Sequence, residues 1–528
     1  MAELWYGGTI YTMEQEGEQV EAVVTKNGRI QMAGSLEEVM AVWKGAIDQE
    51  HHLQGQVMYP GFVDSHLHII GHGERLLRLD LSFMTSPEEV KEALSSHASQ
   101  LPHGQWLIGE GWNENQWADP RIIHKSELDE ISTEHPIMLT RVCRHALLAN
   151  SKAMELAGVT EDTEDPQGGK IVRDEHGLTT GYFLDAAQDP IKDAMPEYTQ
   201  SYLEKAISVS IEDLTRNGIV GGHSEDLNYY GGFRKTYDAF LNSIGPKHTK
   251  FRAHLLVHHE VLDDMLADGL TYKSGTEFVE LGAVKIFSDG AIGGRTALLS
   301  ESYEDDKGNR GMAIHEEKQL AQIVKKARKH DLPVAVHAIG DEAVAMITRI
   351  LNGVPDAPHR DRIIHAQFMR DELYDQVSST NAIVDIQPTF VSSDFPWVLD
   401  RIGEHRLQNA YPWKKLLQSG IPCAGGSDAP IEEINPLLAI QAAVTRKSIH
   451  DQKAYGIEQC LTMFEAISLY TKGSAYTIHE EGKRGLIKEG YDADFTIFDR
   501  DLFALHPDRL LEANVTRTVV DGTVVYQR

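Results

Sequence analysis

Eight short apolar runs recur through the middle of this chain, most of them followed by a helix-like segment, and no other feature restricts the fold as much. They are YPGFVDSHLH, GIVGGHSED, FRAHLLVHH, GAVKIFSDG, LPVAVHAIGD, RIIHAQF, AIVDIQPTF and IPCAGGSDAP. Helix candidates lie between many of them, such as EEKQLAQIVKKARKH and DEAVAMITRILNGV. Strand alternating with helix implies a parallel sheet, and eight repeats imply a closed (β/α)8, TIM-like barrel. An open doubly wound sheet is the competitor. It is weakened because no GxGxxG turn with an acidic partner is present.

At 528 residues the chain is too long for one compact core. Its two ends differ from its centre. Residues 1–58 read as short strands, with a hairpin signal at Asn27-Gly28, and residues 483–528 read the same way, with a hairpin at Asp521-Gly522. Each end is too short to bury a core alone, so one β domain built from both termini is expected, flanking a barrel over 59–482. About 150 residues separate the first run from the second, too many for a structureless connection. That stretch holds strand-like HPIMLTRV, helix-like HALLANSKAMELAG and a hairpin-like GGKIVRDEHGLTTGYF. It reads as an α+β insertion at about 72–205, placed where it would sit over the barrel mouth and shape a substrate pocket.

Composition excludes several functions. Fifty basic and 80 acidic residues give a net charge of −30, which repels phosphate backbones and anionic membranes. Cys143, Cys423 and Cys460 form neither a disulfide framework nor a CxxC site. The start, MAELWYGGTIY, lacks the pattern of a secretory signal, and no apolar run reaches the roughly 20 residues of a membrane span. The expectation is a cytoplasmic protein with no nucleic-acid or membrane partner.

The ends of the runs carry chemistry. The first ends in His66 and His68, which a strand points to one face. The fourth carries Lys285, the fifth ends in His337, the sixth in His365, and the eighth in Asp428. Barrel active sites are built at the carboxyl ends of strands. The 28 residues from His337 to His365 match one strand–helix–strand unit. Taken singly, each has a plain reading. Lys285 would be a snorkelling strand-end lysine, the histidines backbone-bonded, and Asp428 a turn or N-cap residue before IEEINPLLAI. Their joint placement favours a metal site.

Imidazole and carboxylate suit a divalent ion, zinc first among them. An ammonium would be repelled by such ions, so Lys285 could take part only as its carbamate (an N6-carboxylated lysine), formed from the neutral amine and CO2. That group could bridge two metals, which would share a hydroxide of lowered pKa.

These residues, with PGFVDSHLH, GWNENQW, HALLANSKAMELAG, VKIFSDGAIGGRTA, VHAIGDEAV, RIIHAQF, DIQPTF, GGSDAP and GLIKEGYDADFTIFD, make the chain resemble the amidohydrolase superfamily. More narrowly it resembles the amidohydrolase-3, or YtcJ-like, group, which includes N-substituted formamide deformylase. The resemblance spans nearly the whole length. It implies a distorted barrel plus a small β-sandwich from both termini, and two metals per chain, or a single ion. It further implies His66 and His68 on the more buried metal, Lys285 as bridging carbamate, His337 and His365 on the second metal, and Asp428 as ligand and general base. His145 matches a group-typical histidine that would face substrate. Asp289 and Arg295, in the loop after the Lys285 run, are weaker substrate-site candidates. So are Trp112 and Trp117, for which a core position is the alternative. His223, His258 and His259 are taken as supporting or structural. A homodimer is a family-level expectation.

The function expected is hydrolysis of an amide-type C–N bond of a small molecule, an N-acyl or N-formyl amine or a cyclic amide. Attack on a cyclic amidine, lactone or ester is the alternative within the same chemistry. A non-catalytic scaffold is the alternative outside it, disfavoured because all six candidate ligands are present.

Overall fold

The computed structural model describes residues 1–141, 146–166, 168–196 and 198–528. The chain divides into two compact units, one made of Met1–His72 and Leu203–Arg528, the other of Gly73–Tyr202.

The first unit contains an eight-stranded, all-parallel sheet. Its strands are β1 (Phe62–Leu67), β2 (Ile219–Ser224), β3 (Arg252–His258), β4 (Val279–Phe287), β5 (Val334–Ala338), β6 (Asp361–His365), β7 (Ala382–Ile386) and β8 (Cys423–Gly425), paired in that order. All eight apolar runs of the sequence are barrel strands. They are legible because a parallel strand buried on both faces is apolar almost throughout. Leu256, Ala283, Ala335 and Ile364, one each from β3 to β6, form a buried core cluster. Helices follow the strands, including Phe233–Ser243, Glu317–Arg328, Asp341–Asn352, Asp371–Ser378 and Pro436–Thr445.

Among the described residues no ladder joins β8 to β1. The seam is bridged by the loop after β8. Asp428 N–H donates to the His66 carbonyl at 2.7 Å, and His68 N–H donates to the Ala429 carbonyl at 2.8 Å. This stitching makes a nearly closed, TIM-like barrel.

Both termini enter a second eight-stranded sheet. Thr523–Gln527, Val515–Val520, Phe495–Phe498, Val57–Pro60, Ala2–Tyr11, Gln19–Lys26 and Arg29–Gly34 pair in that order, and Gln49–His52 lies beside Ala2–Tyr11. The two chain ends meet where Val57–Pro60 runs antiparallel to Phe495–Phe498. Trp5, Ile10, Val23, Met58, Phe495 and Val519 are buried together there. Asn27-Gly28 and Asp521-Gly522 all have positive φ, as the expected two-residue hairpin turns require. One element departs from the all-strand reading of residues 1–58. Leu36–Trp43 is helical, started by a capping box between Ser35 and Glu38. Val57–Pro60 leads through Gly61 directly into β1, so the terminal sheet anchors the strand that carries His66.

The second unit holds a six-stranded sheet in the order Gly169–Arg173, Thr179–Asp185, Ala146–Ala149, Ile137–Arg141, Leu107–Trp112 and Leu79–Asp80. GGKIVRDEHGLTTGYF is the expected hairpin. HALLANSKAMELAG is not one helix. Ala146–Ala149 is a strand between two antiparallel partners, and the helix is confined to Ser151–Leu156. Sheet pairing overrides the helix propensity of Ala and Leu up to Asn150. The Asn150 side chain then caps the helix by accepting from Ala153 N–H at 3.0 Å.

Candidate metal centre

β1 places His66 and His68 two residues apart at its carboxyl end, and the loop after β8 brings Asp428 to them. Asp428 has φ +56, a left-handed conformation unfavourable for a residue with a Cβ. It is held there by its N–H bond to His66. Its Oδ1 lies 3.4 Å from Nε2 of His66 and 3.4 Å from Nε2 of His68. One ligand atom from each of the three falls within 4.8 Å of the others. Asp428 is not a helix cap, because the following helix begins at Pro436 and is capped by Asn435.

His365 ends β6 and His337 lies near the end of β5. The His365 ring centroid is 5.7 Å from that of His66 and 4.6 Å from that of His337. His365 (φ +80) and Ala366 (φ +43) are both left-handed, a second strained turn at the site. His365 Nδ1 pairs with Gln387 Oε1 at 2.7 Å, and His337 Nε2 with the Gly290 carbonyl at 3.2 Å. Each contact spends one ring nitrogen and leaves the other for the site. Lys285, on β4, is buried, with Nζ 4.0 Å from the Phe287 ring centroid and 3.5 Å from Glu225 Oε2. The five strand-end positions therefore converge on one region.

The electrostatics suit a metal. Burial, followed by the charge of Lys285, pushes His66 well below the ordinary imidazole range and His337 down to about 3. Burial, His337 and Lys285 do the same to His365. All three shifts favour the neutral ring, the form that ligates a metal. Burial also pushes His68 down, but the hydrogen bond to Asp428 and the charge of Glu225 outweigh it and lift His68 to about 9. A proton and a divalent ion thus compete for one ring. Four imidazoles with a carboxylate are a donor set that fits a divalent ion.

The weaker candidates differ in their surroundings. Asp289 is fully buried and its carboxylate accepts from Leu298, Ile339 and Gly340 N–H at 2.8, 3.0 and 2.8 Å. It lies 3.6 Å from His337 Nε2 and braces the loop beside that ring. Arg295 is committed to Asp305 through Nε and Nη2 at 3.1 and 2.8 Å. That leaves the guanidinium little freedom to serve a substrate. Trp112 and Trp117 belong to a buried core cluster of the second unit. Their indole N–H groups donate to the Leu139 and Met84 carbonyls at 3.4 and 3.0 Å. His145 lies outside the described residues. His223 is buried against the His254 ring, and His258 stacks on His259 and faces the Tyr229 and Phe287 rings.

Two contacts were not anticipated from sequence. The Glu225 carbonyl takes His68 Nδ1 at 2.6 Å. The Asp64 carboxylate grips the Ser427 N–H.

The family model described as Amidohydrolase family matches residues 49–526. The chain is 46% identical over 534 residues to a putative amidohydrolase, YtcJ, of Bacillus subtilis (strain 168), covering 100% of each chain. It is 24% identical to N-substituted formamide deformylase of Arthrobacter pascens, covering 98% of this chain and 97% of the relative. Among solved structures it matches an uncharacterized metal-dependent hydrolase of Pyrococcus horikoshii OT3 at 28% identity and a TM-score of 0.81, covering 96% of this chain and 99% of the other. No helix among the described residues is long and apolar enough to cross a membrane.

Proposed function

The chain belongs to the amidohydrolase family, and from that premise we propose that it is a cytoplasmic, metal-dependent hydrolase of an amide-type C–N bond in a small organic molecule. The observation that carries this reading is the position of Asp428 Oδ1, 3.4 Å from Nε2 of both His66 and His68. His66, His68 and Asp428 would hold one divalent ion, zinc by the chemistry of the set. His337 and His365 would hold a second, and Lys285 would take part as its carbamate. A divalent ion bound there polarises a carbonyl and lowers the pKa of water toward neutrality.

The residues of the chain do the rest. Asp428 takes the proton of the attacking water on a carboxylate oxygen and returns it to the leaving nitrogen, which departs as a neutral amine. The Glu225 carbonyl and Gln387 fix the ring nitrogens of His68 and His365 that face away from the site. Asp289 holds the loop against His337. Residues 1–58 with 483–528 act as a supporting β-sandwich. The insertion at about 72–205, with His145, selects the substrate.

The test is a hydrolysis panel of N-formyl amines, N-acyl amines, cyclic imides, lactones and esters with the zinc-loaded protein. Turnover of an amide or imide, abolished by chelation, is expected. Turnover of lactones or esters alone would change the bond assignment. Fully loaded protein that turns over nothing in a broad panel would favour a scaffold.

A further inference from the structure

Glu225 lies one residue beyond β2, in the run GGHSED, and outside the ligand set above; the inference rests on that set holding a divalent ion. It touches two members of the set through two different groups. Its backbone carbonyl accepts His68 Nδ1–H at 2.6 Å, which turns His68 Nε2 toward Asp428. Its carboxylate is fully buried. Oε1 accepts the Tyr229 hydroxyl at 2.7 Å. Oε2 has no hydrogen-bond partner among the described residues, and it lies 3.5 Å from Lys285 Nζ and 3.6 Å from His68 Nδ1.

A buried carboxylate oxygen without a hydrogen bond is costly and survives where positive charge faces it. Here the facing groups are a lysine and a histidine of the metal site. Tyr229 holds one oxygen and so aims the other at Lys285. Its ring centroid is 6.3 Å from that of His68. We propose that Glu225 is a positioning residue of the metal centre, acting through Lys285 and His68, with its negative charge part of what draws a divalent ion into the site. Against an ammonium, Glu225 cancels a charge that repels the ion. Were Lys285 the carbamate, two anions would face each other across this gap, and a bound divalent ion would be what offsets both.

The experiment measures zinc affinity of the full chain by competition with a chromophoric chelator, and records the absorption spectrum of the cobalt-substituted protein. Glu225→Gln keeps the shape and the backbone carbonyl but removes the charge. It is expected to bind zinc 10–100-fold more weakly and to change the cobalt spectrum, with thermal unfolding of the metal-free forms within a few degrees of each other. Glu225→Asp restores part of the affinity. Binding by Glu225→Gln within twofold of wild type would overturn the role. Should that variant fail to fold, Glu225→Asp must itself bind at least threefold more weakly than wild type, and equal affinity would overturn the proposal. Wild-type protein that takes up no divalent ion would remove the metal-dependent reading first and this role with it. The two failures are therefore distinguishable.

Discussion

The carboxylate of Asp64 closes the barrel seam onto Ser427, accepting the Ser427 N–H at 3.2 Å on Oδ1 and 3.0 Å on Oδ2. Asp64 Oδ1 also takes the His66 N–H at 3.0 Å. One side chain therefore ties the strand of His66 and His68 to the loop of Asp428. The approach is so close that a Cβ on Gly426 would stand 2.5 Å from His66 N and 2.7 Å from Asp64 Oδ1. Removing Asp64 leaves two buried N–H groups without an acceptor. Asp64→Ala is expected to lose about 3 kcal/mol of stability and to weaken zinc binding as well, because both halves of the site shift. Urea unfolding and chelator competition measure the two effects. A variant destabilised but with wild-type zinc affinity would show that the seam supports the fold and not the site.

Asp428→Asn keeps an oxygen toward His66 and His68 but loses the group that accepts a proton. Turnover is expected to fall by about 10²–10⁴-fold with metal retained. Elemental analysis beside steady-state rates on the substrate found in the panel gives both numbers. Comparable activity in the variant would remove Asp428 from proton transfer.

Metal stoichiometry decides the state of Lys285. Two ions per chain in wild type, falling in Lys285→Ala, would fit a carbamate-bridged pair. A mass increase of one CO2 on the intact chain, lost in the variant, would accompany it. One ion in both proteins would place Lys285 in the structure of the site only, as the ammonium partner of Glu225 and the Phe287 ring.

The barrel was legible because parallel buried strands leave continuous apolar runs, and the six candidate ligands because each stands at or near the end of one. What was hidden depends on closure. That Asp64 would reach Ser427, or Glu225 reach Lys285, follows from which strands become neighbours around a barrel, and no local pattern in VDSH or HSED carries it. Strand pairing likewise took Ala146–Ala149 away from a good helical sequence. Trp112 and Trp117 look alike in sequence whether they line a pocket or fill a core. Both are buried in a core cluster of the second unit, so Trp112→Ala is expected to cost about 3–5 kcal/mol in urea unfolding. Arg295→Ala, by contrast, gives up an exposed pair with Asp305 and is expected to leave KM within about twofold.

Asp394 supplies a pH dependence that can be separated from the metal site. It accepts the Tyr411 hydroxyl, and burial pushes its carboxyl up to about 7, with Tyr411 pulling the other way. The unfolded chain releases this proton near the ordinary carboxylate value, whereas the folded chain holds it to about 7. Between those values the unfolded state binds fewer protons, so stability falls as pH rises. The contribution is complete below about pH 4 and lost once pH passes about 7. Asp394→Asn removes the titration. Relative to wild type it should therefore be least favourable at pH 4 and gain steadily toward pH 8, by on the order of 2–4 kcal/mol. Urea unfolding of both proteins across that range measures the difference directly. A difference that stays flat with pH would mean that the folded protein carries Asp394 ionised throughout, with the Tyr411 hydrogen bond outweighing burial.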